Sequence, residues 1–208
     1  MNEDLFAQMC PLERILMEDA EVYFLGMLAL PAAPEVLLNR LIEEIPWRAE
    51  EIVVWGKRYM QPRLIAWYGD TGTAYTYSGI VHQPLPWTEL LLGIKQAVEK
   101  EVGTTFNSVL LNFYRDNRDS MGMHSDDEVE LGSRPVIASV SLGEERTLIF
   151  KHKTWKSSKP VRLPLSSGSL LLMKGETQRY WKHGINKEAR ALGPRINLTF
   201  RRICPFNE

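Results

Sequence analysis

The chain has 208 residues, of which 44% are hydrophobic and 25% are charged, and its formal net charge is -1. That length and apolar content fit one domain with a single core, and the near-neutral charge confines any nucleic-acid affinity to local basic patches. Cys10 and Cys204 lack the spacing of a metal or redox motif, which argues against a disulfide framework and for a reducing compartment. The longest apolar run, 22–30, is too short to cross a bilayer and follows an acidic segment, so we expect a soluble, intracellular protein that does not bind membranes.

The N-terminal half of the chain predicts helices and short strands. Residues 1–20 are mixed in composition and are expected to form an N-terminal arm. Leu37, Leu38 and Leu41 recur at helical spacing after Pro34, a pattern typical of an amphipathic helix that starts at a proline. The predicted elements that follow the arm are a strand over 21–25, a helix over 34–45, a strand over 51–55, a long ordered loop with short hairpins over 57–86, and a helix from a Thr88 cap to residue 102.

The C-terminal half changes to short strands separated by Gly, Pro and Ser turns. The predicted strands are 106–114, 135–142, 146–152, 160–165, 168–174, 178–184 and 194–202. Helices followed by many strands favour a mainly β fold with flanking helices, with a double-stranded β-helix (jelly roll) as its core. We therefore expect 21–208 to form a single domain.

A candidate metal site follows the apolar strand that ends at residue 114. His124 and Asp126 lie two residues apart, so their side chains point the same way if the backbone is extended. An imidazole and a carboxylate aimed at one point are two parts of the 2-His-1-carboxylate facial triad that binds non-haem Fe(II). An isolated H-x-D pair is more often a surface or capping feature, so the interpretation depends on a second histidine.

Three other histidines could complete this triad. His82 lies among prolines, and His152 lies in a lysine-rich segment that would repel a cation. His183 follows the apolar run 170–173 and a turn, so it can return to the site on a neighbouring strand. We choose His183 as the third ligand.

The segment 195–201 presents two arginines on one face of a strand. With a period of two, Arg195 and Arg201 share a side with Asn197, while apolar residues occupy the other side. On a solvated edge strand the arginines would merely be hydrated. In a closed pocket they would be costly without an anion, and their planar forks match carboxylates. Asn112 and Tyr114 would reach the same interior, so the sequence favours a dicarboxylate cosubstrate beside iron, as in 2-oxoglutarate-dependent oxygenases.

The chain closely resembles the AlkB family of Fe(II)/2-oxoglutarate-dependent dioxygenases. The motifs N-x-Y, H-x-D, a later His and R-x-N-x-T-F-R carry the resemblance, which runs from about residue 52 to 203 and is closest to the subgroup that prefers double-stranded DNA. Further matching segments are 54–56, 68–70, 75–79, 124–128, 137–141 and 162–165. The resemblance implies Fe(II) on His124, Asp126 and His183, with dioxygen as the oxidant. It implies 2-oxoglutarate bound by Asn112, Tyr114, Arg195, Asn197 and Arg201.

The resemblance also implies a function. The family oxidatively demethylates N-alkylated bases such as 1-methyladenine and 3-methylcytosine, and so directly reverses alkylation damage after flipping the base out of the helix. For this chain it implies action on DNA, including double-stranded DNA. In domain terms, 21–105 would supply helical support and a nucleotide-recognition lid, and 106–203 the catalytic core.

Several residues are predicted to contact the substrate. Trp55, between Val54 and Gly56, would be the finger that fills the space left by the flipped base, although an ordinary core tryptophan is the alternative. The subgroup is expected to carry Phe where this chain has Trp. The resemblance implies that Tyr75 and Glu128 recognise the base, with Asp127 as a second acidic candidate, because the methylated base is cationic. The remaining predicted contacts are Arg63 near the finger and Tyr77 and Ser78 at the base. The acidic residues could instead form a solvated loop.

Basic residues form two clusters that could contact phosphates. They are Lys57, Arg58 and Arg63, and then Lys151, Lys153, Lys156, Lys159 and Arg162. Relative to the subgroup, the 151–162 loop looks shorter and 187–190 is less basic. Both loops would be expected to grip the complementary strand.

Three alternatives remain open from the sequence. The same chemistry could act on single-stranded DNA or on RNA. A small-molecule 2-oxoglutarate oxygenase would share the triad and the arginines, but would leave the basic clusters and Trp55 unexplained. A non-catalytic nucleic-acid-binding module is the third. We expect a monomer, in a bacterial cytoplasm because no basic nuclear-localisation run is visible, or in the nucleus if the source is eukaryotic.

Overall fold

The computed structural model describes residues 12–54, 56–73, 75–77 and 80–204. Its strands are β1 Glu13–Ile15, β2 Glu21–Leu25, β3 Glu51–Val54, β4 Lys57–Met60, β5 Leu64–Gly69, β6 Tyr75–Tyr77, β7 Ile80–His82, β8 Ser108–Tyr114, β9 Met121–His124, β10 Ile137–Gly143, β11 Arg146–His152, β12 Val161–Leu165, β13 Leu170–Lys174, β14 Trp181–Ile185 and β15 Arg195–Arg201. Its α-helices are α1 Pro34–Glu44, α2 Glu89–Val102 and the short α3 Thr177–Tyr180. A 3-10 turn covers Val129–Leu131.

Two antiparallel sheets form the body of the protein. The major sheet has seven strands in the order β1-β2-β13-β10-β15-β8-β5, and the minor sheet has four in the order β12-β11-β14-β9. Phe150 and Trp181 from the minor sheet share one buried cluster with Tyr114 and Leu171 from the major sheet. This sandwich of two sheets confirms the predicted mainly β, jelly-roll fold.

Two helices support the major sheet and share a second buried cluster with it. Thr88 caps α2 by accepting a hydrogen bond from the Leu91 amide at 3.3 Å, and Gly103, with φ 67, ends the helix. Leu91, Ile94 and Val98 of α2 are fully buried. With its outer face covered in this way, the major sheet can direct the inner faces of β8 and β15 toward the minor sheet. No helix in the described part of the chain is long and apolar enough to cross a membrane.

Four parts of the structure differ from the sequence-based expectation. The described part of the N-terminal arm contains β1, which pairs with β2. Strand β5 lies wholly in the predicted loop 57–86 but joins the major sheet beside β8. The expected short hairpins are present as β3–β4 and β6–β7. The short β9 was not predicted, because its four residues include glycine and two methionines. The helical turn α3 occupies the start of the strand predicted over 178–184, and the strand β14 begins only at Trp181.

Candidate active site

The three predicted metal ligands lie together at the edge of the minor sheet. His124 ends β9 and is paired with His183 on β14, while Asp126 follows two residues after His124. The Nε2 atoms of His124 and His183 lie 3.8 Å from Asp126 Oδ1 and Oδ2, respectively. Ligand atoms of all three residues lie within 4.8 Å of one another. Two imidazoles and one carboxylate in this arrangement form a donor set that suits Fe(II).

Hydrogen bonds around the cluster fix the orientation of these ligands. His124 Nδ1 lies 3.0 Å from the Gly122 carbonyl, so it can donate its proton there and leave the Nε2 lone pair for a metal. The Asp126 amide donates to Gln178 Oε1 at 3.0 Å, and the Ser125 hydroxyl donates to the Trp181 carbonyl at 2.9 Å. The turn around α3 therefore positions the loop that carries Asp126.

The electrostatic environment keeps the donors in their metal-binding protonation states. Burial, reinforced by the nearby His124, lowers the pKa of His183 to about 3, so the ring is neutral at neutral pH. Burial acts to raise the pKa of Asp126, but Arg201 and the two histidines together hold it below its ordinary value. The cluster thus offers an ionised carboxylate and a neutral buried imidazole to a divalent cation.

A small cavity between the sheets adjoins the metal ligands. All five residues predicted to bind the cosubstrate line it, together with His124, Asp126 and His183. They lie on the paired strands β8 and β15, where Asn112 faces Asn197 and Tyr114 faces Arg195. The structure therefore brings together Asn112, Tyr114, Arg195, Asn197 and Arg201 beside the candidate metal site.

Arg195 is the clearest indication that the cavity binds an anion. It is 1% exposed and donates through Nη2 to Ser141 Oγ at 3.0 Å, but its Nε and Nη1 atoms are buried without hydrogen-bond partners. Burial lowers its pKa to about 10, so it still carries a charge at neutral pH. A buried cation with two unpaired N–H groups is costly, and a carboxylate of 2-oxoglutarate would satisfy it. The donor set and this pocket fit Fe(II) with 2-oxoglutarate.

Arg201 already has a partner within the protein. Its Nη2 donates to Asp126 Oδ1 at 2.5 Å, and its predicted contact with a cosubstrate carboxylate stays a prediction. Its Nε remains buried without a partner. Because Asp126 is also the carboxylate of the metal cluster, Arg201 links the metal site to the cosubstrate pocket.

The two asparagines that line the pocket also bond to the protein. Asn112 Oδ1 accepts from Arg63 Nε at 2.7 Å, and Asn197 Nδ2 donates to Ser139 Oγ at 2.6 Å. Thr199 Oγ1 donates to Asn197 Oδ1 at 2.9 Å. These bonds hold both amides in fixed orientations at the wall of the pocket. Arg63 thus connects the pocket wall to the cleft described next.

An open cleft of about 360 Å³ lies on the other side of His124 and Asp126. Two predicted substrate residues, Arg63 and Glu128, line it, and the Glu128 Oε2 atom is buried without a hydrogen-bond partner. Asp127 does not line it; its carboxylate accepts from Lys153 Nζ at 2.9 Å. Of the two acidic candidates, the structure places only Glu128 at the cleft. Lining residues that sequence reasoning missed include Glu50, Gln61, Trp67, Met123 and Leu131.

The remaining predicted substrate residues lie on two hairpins. Val54 ends β3, and Gly56, with φ 75, begins the return into β4. That positive φ is a conformation for which glycine is the default residue. The predicted finger Trp55 lies between them, outside the described residues, as does Ser78. Tyr75 and Tyr77 belong to β6, which pairs with β7.

Arg146 is a buried residue behind the pocket that the sequence did not lead us to expect. It is 2% exposed, its Nη2 donates to the carbonyls of Asp119 at 3.0 Å and Asn186 at 2.5 Å, and its guanidinium lies 5.7 Å from the Tyr114 ring. Arg195 lies 5.1 Å from the same ring. A period-two signal was available, because Arg146 is in phase with Leu148 and Phe150 on β11. An arginine in phase with a buried face indicates a buried charge.

His152 lies at the end of β11, within the strand predicted over 146–152. Its Nδ1 accepts from the Trp155 amide at 2.9 Å, and its Nε2 lies 3.5 Å from Asp19 Oδ2. The ring stacks on Tyr180 at a centroid distance of 5.9 Å. His152 therefore joins the minor sheet to the N-terminal segment, and among the described residues it does not belong to the metal cluster.

Comparison with known proteins agrees with this geometry. Residues 22–201 match the family described as the 2OG-Fe(II) oxygenase superfamily, so the chain belongs to that class of enzymes. It is 43% identical over 177 residues to "Alpha-ketoglutarate-dependent dioxygenase alkB homolog 3" of Mus musculus, covering 81% of this chain and 61% of the relative. It is 42% identical over 174 residues to "DNA oxidative demethylase ALKBH2" of Mus musculus, covering 81% of this chain and 73% of the relative. The chain is thus a member of the AlkB family within that superfamily, as its motifs predicted.

A solved structure supports the fold independently. "The structure of OsALKBH1" superposes with a TM-score of 0.62 at 18% sequence identity, over 92% of this chain and 100% of that one. The chain spans about three fifths of the length of the first alkB homolog 3 relatives, with 61% of the mouse protein and 59% of the Rattus norvegicus protein covered.

Proposed function

We propose that this protein demethylates 1-methyladenine and 3-methylcytosine in DNA, including double-stranded DNA, and acts as a monomer. One observation carries the proposal: the His124–Asp126–His183 cluster lies between a small pocket that contains an unpaired buried guanidinium and a larger cleft that contains an unpaired carboxylate oxygen. The first compartment suits 2-oxoglutarate. The second suits a cationic base, and both of these methylated bases are positively charged at neutral pH. The relative named a DNA oxidative demethylase supports DNA as the substrate class.

The proposed chemistry is an oxidative loss of the methyl group. Fe(II) held by His124, Asp126 and His183 would, with 2-oxoglutarate and dioxygen, supply the oxidation. One oxygen atom enters the N-methyl C–H bond and the other enters succinate, while 2-oxoglutarate loses carbon dioxide. The resulting N–CH2OH group releases formaldehyde and leaves the base protonated at that nitrogen, and the base then gives up this proton to solvent. The substrate, 2-oxoglutarate and dioxygen thus account for every atom of the products.

The protein's own side chains bind and orient the reactants. Arg195 pairs with a cosubstrate carboxylate, and Arg201 holds Asp126 in the ionised, metal-binding state. Glu128 opposes the positive charge of the base, and the largely apolar walls of the cleft exclude water. We further propose that 21–105, with the hairpins β3–β4 and β6–β7, forms the support and recognition lid, and that 106–203 forms the catalytic core.

The proposal is tested by direct demethylation. The purified protein is loaded with Fe(II) and 2-oxoglutarate without oxygen and then exposed to air with an oligonucleotide carrying one 1-methyladenine or 3-methylcytosine. We expect one formaldehyde and one succinate for each methyl group lost, with the paired oligonucleotide repaired at least as fast as the unpaired one. Mass spectrometry of the oligonucleotide measures the methyl loss.

Other outcomes of this assay would reject parts of the proposal. Succinate without methyl loss would show an intact iron site and reject methylated DNA as the substrate. Repair restricted to unpaired DNA or RNA would reject duplex DNA. No turnover would indicate a non-catalytic binding module.

The finger role of Trp55 is a sequence-based prediction. Trp55→Ala should slow repair of paired DNA by about tenfold, because one stacking contact is lost, and should leave repair of unpaired DNA unchanged.

Basic residues on the outer face of the minor sheet support DNA as the partner. Lys151 and Lys182 are directly opposite each other on β11 and β14, and both are exposed, as is Arg162 on β12. Like charges directly opposite in a sheet are destabilising, and the ion pairs of the described residues include none of these three. Lys153, in contrast, is engaged by Asp127 and by the Gln178 carbonyl. The exposed basic residues therefore suit phosphates better than Lys153 does.

Neutralising this face should weaken DNA binding without changing the chemical step. For the double variant Lys151→Gln, Lys182→Gln, we expect the KM for an oligonucleotide of about 20 nucleotides to rise and kcat to stay constant. The slope of log KM against log salt should decrease by about two, one for each lost phosphate contact. Lys100→Gln on α2 is the matched control and should leave both quantities unchanged. An unaltered salt slope in the double variant would place the DNA elsewhere.

A further inference from the structure

Gln61 lies at the base of the β3–β4 hairpin and faces the substrate cleft. It follows β4 directly, and its amide donates to the Glu50 carbonyl at 2.8 Å, which extends the pairing of the hairpin by one step. The residue is 5% exposed and lines the same cleft as His124, Asp126 and Glu128. Its side-chain Oε1 is buried without a hydrogen-bond partner.

The cleft therefore contains two buried acceptors that the protein leaves unsatisfied, Gln61 Oε1 and Glu128 Oε2. Buried polar atoms in native proteins are nearly always hydrogen-bonded, and an exception calls for a ligand or another explanation. The cationic side chains that line the cleft have other partners: Arg63 Nε donates to Asn112, and Arg201 Nη2 donates to Asp126. Two acceptors without donors from the protein match a ligand that carries donors and positive charge.

We propose that Gln61 is a specificity-determining residue whose Oε1 accepts a hydrogen bond from the exocyclic amino group of the methylated base. This inference rests on the proposed function. In 1-methyladenine and 3-methylcytosine, an amino group adjoins the methylated ring nitrogen and the base is cationic. In 1-methylguanine and 3-methylthymine, a carbonyl oxygen occupies that place and the base is neutral. Gln61 and Glu128 together favour the first pair and disfavour the second.

The two unpaired acceptors discriminate between bases by hydrogen bonding rather than by ring size. They weaken the binding of a base that presents a carbonyl oxygen to them. A site built to bond an N–H group rejects an analogue that lacks it, since its own buried polar atoms then stay unpaired. Rotation of the Gln61 amide could present its NH2 group to a carbonyl, but the Glu128 carboxylate has no such alternative. Gln61→Glu removes that freedom and keeps an acceptor of the same shape. Gln61→Met keeps the approximate volume and removes the acceptor.

The test compares 3-methylcytosine with 3-methylthymine at one position of the same unpaired oligonucleotide. Wild type, Gln61→Met, Gln61→Glu and the exposed control Gln96→Met are assayed for kcat/KM on both lesions. We expect Gln61→Met to lose about tenfold or more on 3-methylcytosine, the worth of one hydrogen bond to a charged partner, with little loss on 3-methylthymine. Gln61→Glu should keep the wild-type preference for 3-methylcytosine, and Gln96→Met should match wild type.

Each other result overturns a defined claim. Wild type that fails to demethylate 3-methylcytosine rejects the proposed function and this inference with it. Wild-type activity with an unchanged lesion ratio in Gln61→Met rejects the role of Gln61 alone. An equal loss on both lesions assigns Gln61 to packing. Production of succinate from 2-oxoglutarate without DNA, measured on every variant, shows that the iron site is intact.

Discussion

Replacing Asp126 by alanine is expected to reduce 2-oxoglutarate turnover by more than about 100-fold, because even the loss of a hydrogen-bond partner of a metal ligand costs 10–100-fold. The substitution removes one of three ligands and also leaves the largely buried Arg201 without its carboxylate. Succinate production from protein loaded with Fe(II) measures the effect. Asp127→Ala is the matched control, since the neighbouring carboxylate is 60% exposed and pairs with Lys153.

Asp126→Asn accompanies the alanine variant because removing the partner of a buried charge can unfold a protein. The amide keeps the shape of the side chain and an acceptor for Arg201, but lacks the negative charge that a divalent metal requires. We expect a folded protein with similarly low turnover. Wild-type turnover in either variant would show that Asp126 is not a metal ligand.

Replacing Arg195 by methionine is expected to separate cosubstrate binding from stability. The KM for 2-oxoglutarate should rise by about 100-fold or more, because truncating one partner of a buried charge pair costs about 2–5 kcal/mol. The free energy of unfolding without 2-oxoglutarate should stay constant or rise by about 1–4 kcal/mol, since methionine replaces an unpaired buried cation. Steady-state kinetics at varied 2-oxoglutarate concentration measures the KM. Thermal unfolding with and without 2-oxoglutarate measures the stability.

Arg202→Met is the control for this prediction, because the exposed Arg202 follows Arg201 and contacts Thr105 at 3.4 Å. It should change neither quantity. A large loss of stability in Arg195→Met without 2-oxoglutarate would show that the guanidinium is already stabilised by the protein. An unchanged KM would place the cosubstrate carboxylates elsewhere.

The sequence predicted those parts of the site that depend on strand periodicity. The i, i+2 spacing of Asn112 and Tyr114, and that of Arg195 and Asn197, is enough to place their side chains on one face of a strand. The pairing of β8 with β15 then brings the two faces together. His183 was chosen because the other histidines were less suitable and because it follows the apolar run 170–173 and a turn. The structure pairs it with His124 across β9 and β14. The jelly-roll fold was predictable from the many short strands and turns in the C-terminal half of the chain.

The sequence could not predict contacts that depend on how the sheets and loops pack. Nothing local distinguishes Asp127 from Glu128, yet one bonds to Lys153 and the other lines the cleft. The ion pair between Arg201 and Asp126 joins residues 75 positions apart. Gln61 carries no signal of its own, because its burial depends on how the β3–β4 hairpin lies against the body of the protein. Strand β5 was missed because its Tyr and Gly content resembles that of the surrounding turns.

The position of β9 makes it a weakly held part of the minor sheet. It is an edge strand of four residues that pairs with β14 alone, and the register shifts between His183 and Ile185. An edge strand this short lacks the two-sided support that protects interior strands from local opening. A metal ion held jointly by His124 and His183 would add a bond across this weakly held pair and close a long loop of the chain. The metal would then secure the shortest strand of the minor sheet, so loss of iron would loosen this edge of the sheet as well as stop the reaction.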